Sequence, residues 1–356
     1  MDQIKKKILI LGANGQVGKE LCIYLKNFEN CNLIASTRNN LSAYFLISHN
    51  INCVIGDIYN NEILKREIET SDLIFDLAAP SGGNLSEIKK FYKNRLNYLF
   101  NYLSKENIFV FASTMMAWGM SELSPKLKYH IFPGTMYAIH KRYAEKYCIK
   151  LGKRKNVKVF IFRLADVHGV LQRTTNNLKK LIENENKFIL PTTTPAWIVF
   201  VYEIAESLIR ILENKEKPGI YTLTSKENWE WYELLNFIGK RTKKEIFFSK
   251  NIEKQSNNKI FEFFKIFFFN YFWKRKDFIR ANLPISPNFE KNQKLKYYIS
   301  QIKAETKNLE FRPEYKGLIR FKGVLPGKKI ENLTMTKKRI REIEEKIFKI
   351  LNEAKY

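Results

Sequence analysis

Four cysteines and four histidines in 356 residues leave little material for a metal centre or a disulfide framework. Cys22, Cys31, Cys53 and Cys148 are scattered, and no two form a Cys-x-x-Cys pair. His49, His130, His140 and His168 show no metal-ligand spacing. The pattern argues against zinc ribbons and redox dithiols, leaves the histidines structural or solvated, and fits a reducing, cytoplasmic setting. No apolar run approaches the ~18 residues of a membrane span. The basic start Met1–Lys7 precedes an apolar stretch that stops at Gly12, too short for a signal peptide. Acidic side chains are also few, 36 against 62 basic ones, for a net charge of +26. About two-thirds of that surplus lies after residue 240. It reads either as a lysine-rich solvated surface or as attraction to something anionic: a phosphorylated substrate, a membrane face or nucleic acid. The 45% hydrophobic content is that of a globular chain with room for one large or two modest domains.

Glycine is sparse too, 15 in all, yet Gly12, Gly15 and Gly18 stand three apart near the start. Before them lies Ile8-Leu9-Ile10-Leu11, the continuous apolar run of a buried parallel strand. After them Val17, Leu21, Leu25 and Phe28 recur at helical spacing. On such a strand-to-helix turn the first glycine allows the bend, the second admits a pyrophosphate, and the third seats the helix on the strand. The helix N-terminus then offers N–H groups and a positive dipole end. A dinucleotide is therefore expected over Gly12, Asn14, Gly15, Gln16, Val17 and Gly18.

Apolar runs at Leu33–Ala35, Cys53–Ile55, Leu73–Phe75, Ile108–Phe111 and Val157–Phe162 read as further strands, with helices over Asn60–Glu69 and Leu85–Leu103. The alternation predicts an α/β fold, a Rossmann-type doubly wound parallel sheet with ligands at the carboxyl ends of its strands. From about residue 170 the pattern loosens. A helix over Val201–Leu212, a strand over Gly219–Thr224 and a helix over Trp229–Gly239 follow. The expected organisation is a dinucleotide domain over 1–170, elements of a smaller substrate lobe over 171–240 with segments returning to the sheet, and a basic, aromatic-rich extension over 241–356. In that extension Ile340, Ile343, Ile347 and Leu351 form one helical stripe, read as packing against the body.

Ser113 and Thr114 lie just past the fifth strand, where a hydroxyl can face a cofactor and substrate. Tyr137 and Lys141 are four apart, on one face of a helix. An ammonium beside a phenol favours the phenolate and lowers its pKa from about 10, making Tyr137 a candidate acid/base that exchanges a proton with an oxygen held by Thr114.

GANGQVG, the VIGD of Val54–Asp57, the DLAA of Asp76–Ala79, FASTMMAWG, Tyr137-x-x-x-Lys141 and FRLADVHG follow in order. Over about residues 5–240 the chain resembles an extended short-chain dehydrogenase/reductase, the group of nucleotide-sugar epimerases, dehydratases and ketoreductases. The resemblance implies a catalytic trio of Thr114, Tyr137 and Lys141. It also implies adenine contact at Asp57, cofactor binding at Ile58 beside it, and a cofactor border at Ala78 and Ala79. Family dehydratases carry an acidic pair after the hydroxyl, where this chain has Met115 and Met116. Ketone reduction or C4 epimerisation therefore remains. Asn176 and Asn177 are similar to the asparagine-leucine element that grips a sugar nucleotide's phosphates, and ordinary loop chemistry is the other reading. The second strand ends in Ser36-Thr37-Arg38, with no acid for the ribose hydroxyls of NAD and an arginine able to pair with a 2′-phosphate. NADP is thus preferred over NAD.

A sugar nucleotide is the expected substrate and a homodimer the expected assembly. A small alcohol or an amino acid such as threonine stays open as substrate. Phe261–Lys276, aromatic then basic, reads as a buried helix or as one lying on a membrane surface, and in the latter case a lipid-linked sugar becomes attractive. The rival from another class is a non-enzymatic nucleotide-fold protein whose basic tail binds nucleic acid, a use that would not need the trio.

Overall fold

β1 (Lys6–Leu11) is an interior strand of a seven-stranded sheet, and its two faces supply two separate cores. Ile8 and Ile10 point into one apolar layer, Leu9 and Leu11 into the other, because successive strand side chains alternate. The computed structural model describes residues 5–80, 82–118, 136–184, 187–189, 195–242, 247–249, 328–330 and 333–353. The elements after β1 are α1 (Gln16–Lys26), β2 (Cys31–Thr37), α2 (Asn40–Ser48), β3 (Cys53–Ile55), α3 (Glu62–Thr70), β4 (Leu73–Asp76), α4 (Leu85–Tyr102), β5 (Ile108–Thr114), α5 (Met136–Lys155) and β6 (Lys158–Leu164). Then come β7 (Asp166–His168), α6 (Arg173–Asn184), β8 (Lys187–Ile189), β9 (Pro195–Ala196), β10 (Ile198–Phe200), α7 (Val201–Leu212), β11 (Gly219–Leu223), β12 (Trp229–Glu230), α8 (Trp231–Thr242), β13 (Phe247–Ser249) and α9 (Lys337–Glu353).

The sheet order is β11-β6-β5-β4-β1-β2-β3, with every pairing parallel. The chain works outward from β1 in one direction through β3, then returns to add β4, β5, β6 and β11 on the other side. The expected doubly wound sheet is thus present, with its switch point between β1 and β4, where ligands of such sheets sit. The layer holding Leu9, Ile74, Phe109 and Ile161 is covered by α3, α4 and α5, and the opposite one by α1 and α7. Smaller pairs, β7 with β10, β8 with β13 and β9 with β12, stand outside the sheet.

Two segments differ from the sequence reading. The region past residue 170 is not loose at its start: α6 forms there, with Leu178 and Ile182 buried at helical spacing. α2, which has no clean apolar period, is started by its cap, the Asn39 side chain accepting from the Ser42 N–H. The last helix docks as its stripe demands. Ile340 and Ile347 of α9 are buried in the layer shared with α1, α7 and α8, and Lys337 pairs with Glu233 of α8 at 2.8 Å. Just before it, Lys328 bridges to Tyr221 on the outer edge of β11. Phe261–Lys276 lies outside the described residues.

Candidate active site

All the strands of the sheet end on the same side, so the residues following them converge on one rim. After β1, Gly12 has φ +76°, and a Cβ there would stand 2.9 Å from the Ala78 backbone nitrogen. Gly18 would put a Cβ 2.5 Å from the Ala13 carbonyl oxygen, so only glycine lets α1 lie this close to the turn. Gly15 differs. A Cβ there would meet nothing nearer than the Gly12 carbonyl oxygen, 3.2 Å away. Gly15 N-caps α1 without a side-chain cap, and no acid stands in the first turn. Orphan N–H groups, a positive helix end and an open approach fit a pyrophosphate. Asn14 and Val17 are half-buried on this turn, and Gln16 is exposed.

Four donors fix the far side of the turn. Glu20 of α1 is buried, accepting from the N–H groups of Val170 (2.8 Å) and Leu171 (3.0 Å), from Gln172 Nε2 (2.8 Å) and from the Tyr202 hydroxyl (2.9 Å). Gln172 also reaches the Gln16 carbonyl at 3.0 Å, which ties the glycine turn to the segment leading into α6. Desolvation raises the Glu20 pKa. Sequence reading missed this carboxylate, whose signal was an acid in the apolar stripe of α1.

Along the rim, Arg38 is exposed just past β2. Past β3, Asp57 is exposed and accepts from the Tyr59 N–H at 2.8 Å, while Ile58 is buried. Past β4, Ala78 is half-buried and Ala79 exposed. β5 ends in Thr114, partly buried, whose oxygen accepts from the Met116 N–H at 3.3 Å and keeps its own proton for another acceptor. Asn176 and Asn177 lie in the first turns of α6, exposed, rather than in a loop.

Ser113 requires a correction. It was expected beside Thr114 at the substrate, but alternation turns it to the opposite face of β5. There it is buried and donates to Glu145 Oε1 at 2.5 Å. Glu145 in turn takes a two-pronged bond from Arg163, at 2.9 and 2.7 Å. Ser113 is thus a member of a buried structural triad.

α5 carries Tyr137 in its first turn, half of its surface open, and Lys141 one turn on, 3% exposed. Lys141 Nζ donates to the Ala112 carbonyl at 2.7 Å and faces three rings: Phe111 at 4.8 Å, Tyr92 at 5.7 Å and Tyr137 at 5.9 Å from their centres. Burial lowers the lysine from 10.5 to about 8, with Asp76 the leading opposing influence. The expected depression of the Tyr137 phenol is absent. Desolvation raises it above 10, because the ammonium addresses the ring and a backbone carbonyl rather than the hydroxyl. Nearby, a buried ion pair joins Asp76 to Arg95, which sequence reading also missed.

A family model, that of the NAD dependent epimerase/dehydratase family, matches residues 8–223. An uncharacterized membrane protein of Methanocaldococcus jannaschii is 34% identical over 99 residues, 26% of this chain and 29% of that one, so the match spans under a third of that relative. The spore coat polysaccharide biosynthesis protein SpsK of Bacillus subtilis is 23% identical over 235 residues, covering 65% of this chain and 78% of that one. Among solved structures, UDP-glucuronic acid 4-epimerase from Bacillus cereus, in complex with UDP-glucuronic acid and NAD, shares the fold. Its TM-score is 0.53 at 18% identity, over 68% of this chain and 85% of that one. With its sheet, its glycine turn and a match over more than half its length, the chain belongs to the NAD dependent epimerase/dehydratase family and is an enzyme of that family.

Proposed function

We propose that this enzyme acts on a nucleotide-activated or lipid-linked sugar, reducing a keto group or epimerising C4, with Thr114, Tyr137 and Lys141 at the reacting oxygen. The observation that carries the reading is the setting of Lys141: a cation buried among three rings at the end of β5, one turn from a half-open tyrosine. A lysine costs several kcal/mol to bury and has no packing reason to be there. When bound, the nicotinamide supplies the hydride chemistry. Thr114 donates to the sugar oxygen, Tyr137 gives or takes its proton, and Lys141 holds positive charge under the phenol as it ionises. Glu20 and Gln172 keep the glycine turn in place while the first turn of α1 binds the pyrophosphate.

The SpsK name and the UDP-sugar complex of the structural neighbour support a sugar-nucleotide substrate. Asn176 and Asn177 are the residues we assign to its phosphates. NADP rather than NAD is assigned from this chain's own residues, Arg38 standing where an acid would select NAD. The neighbour's complex holds NAD, so the preference rests on that arginine alone. We assign the enzyme to the cytoplasm as a homodimer. Among the described residues no helix is long and apolar enough to cross a membrane.

The test is turnover with NADPH and NADH against UDP- and dTDP-linked sugars, 4-keto sugars and L-threonine. Tyr137→Phe should keep cofactor binding and lose at least ~100-fold in kcat on the active substrate. Near-parental turnover would remove the acid/base role.

A further inference from the structure

β4 ends in an acid, and alternation sends Asp76 to the same face as Ile74, the apolar layer beneath α4 and α5. α4 answers with an arginine in its buried stripe of Tyr92, Arg95, Leu96 and Leu99. Asp76 is fully buried and Arg95 8% exposed. Arg95 Nη2 donates to Oδ1 at 2.8 Å and Nε to Oδ2 at 3.1 Å, while the Ala78 N–H adds a bond to Oδ1 at 3.2 Å. A buried pair of this kind is seldom better for stability than an apolar pair of the same volume. Its presence beside the site therefore calls for another role.

Lys141 enters the same layer from α5. The ionisable groups acting on it are Asp76 from β4 and Glu145 and Cys148 from its own helix. Tyr92 from α4 and Tyr137 from α5 present rings to it. Cys148 is a buried thiol pushed well above its ordinary pKa, hence neutral. The two acids are both engaged elsewhere: Asp76 in the fork of Arg95, Glu145 in the fork of Arg163. Among the described residues no carboxylate pairs with Lys141, and its bond goes to a backbone carbonyl.

We infer that Arg95 and Arg163 are positioning residues of the site: each holds, two-pronged, a carboxylate that would otherwise capture the Lys141 ammonium, and so leaves that ammonium to Tyr137. The inference rests on the proposed role of Lys141 and deepens it. Removing the Arg95 charge frees Asp76 to pair with Lys141, and an opposite charge brought within about 4–6 Å raises a lysine by about one to three units.

The experiment is a pH titration of the full chain carrying ¹⁵N-labelled lysine, with the Lys141 signal identified by its loss in Lys141→Arg. Arg95→Gln, which keeps one hydrogen bond to Asp76, should raise the Lys141 midpoint by about one unit or more. At neutral pH the same variant should lower kcat at least ~10-fold with cofactor affinity within about threefold. The double variant Asp76→Asn/Arg95→Gln, a neutral hydrogen-bonded pair, removes both charges and should abolish that rise, leaving the midpoint at or below the parent's, because Asp76 is the leading influence that raises Lys141. It decides the matter should Arg95→Gln fail to fold. An unchanged midpoint in Arg95→Gln, or a rise of about one unit or more in the double variant, overturns the inference, since the freed Asp76 would then not be what moves Lys141. The titration needs no turnover. Undiminished activity in Tyr137→Phe would sink the catalytic reading while leaving the Arg95 result intact.

Discussion

Lys141 lies one helical turn after Tyr137, and its ammonium stands 5.9 Å from the centre of the Tyr137 ring while bonded to the Ala112 carbonyl at 2.7 Å. In this arrangement the lysine is desolvated and close to the phenol without yet bonding its oxygen. A charge so placed is lost near pH 8 rather than near 10.5.

The lysine is held at about 8 in the folded chain, below its ordinary 10.5. Between those values the unfolded chain binds the extra proton, so stability must rise with pH from about 8 to about 10.5, by up to about 3 kcal/mol. Chemical denaturation across this range should show the slope in the parent and a flattened one in Lys141→Met. A chemistry that needs the ammonium should fall off in kcat above pH about 8. Identical slopes in parent and variant would contradict the buried ammonium.

Thr114 and Ser113 are neighbours with opposite assignments. Thr114→Val should lose turnover by ~100-fold or more with little change in stability. Ser113→Ala takes one donor from Glu145, should cost ~1–2 kcal/mol of stability, and should spare kcat. Paired kinetics and thermal melts separate the two, and the reverse pattern would show that alternation along β5 had been misread.

The glycines of the turn should also divide. Gly15→Ala adds an exposed methyl whose one close neighbour, the Gly12 carbonyl oxygen at 3.2 Å, has to give by a few tenths of an ångström, so melting should fall less than in Gly18→Ala while cofactor affinity falls ~10-fold or more. Gly18→Ala drives a methyl into the Ala13 backbone and should lower stability by ~2–4 kcal/mol before any effect on binding is read. Calorimetric titration and melting curves on both variants are sufficient.

Arg38→Ala should weaken NADP(H) at least ~10-fold and leave NAD(H) within about threefold, the loss of a charge-assisted bond to a phosphate. Equal losses for the two cofactors would remove the phosphate contact.

Local pattern was enough for most of the fold. α7 spans Val201–Leu212 as its period required, β3 spans Cys53–Ile55, and α4 ends within a residue of its apolar stripe. These features depend on neighbours within one or two turns of chain. The capped start of α2 and the short apolar stripe of α6 were harder to see, since neither carries a long period.

The sequence by itself determined the order of strands and helices, the glycine turn and the one-turn spacing of Tyr137 and Lys141, because each is a property of contiguous residues. Tertiary structure alone decided that Ser113 faces Glu145 and that Lys141 loses its solvent. It likewise decided that Asp76 meets Arg95 and that α9 covers α7 and α8. The physical reason is that desolvation and charge pairing act through space, and the sheet brings together residues that lie far apart along the chain.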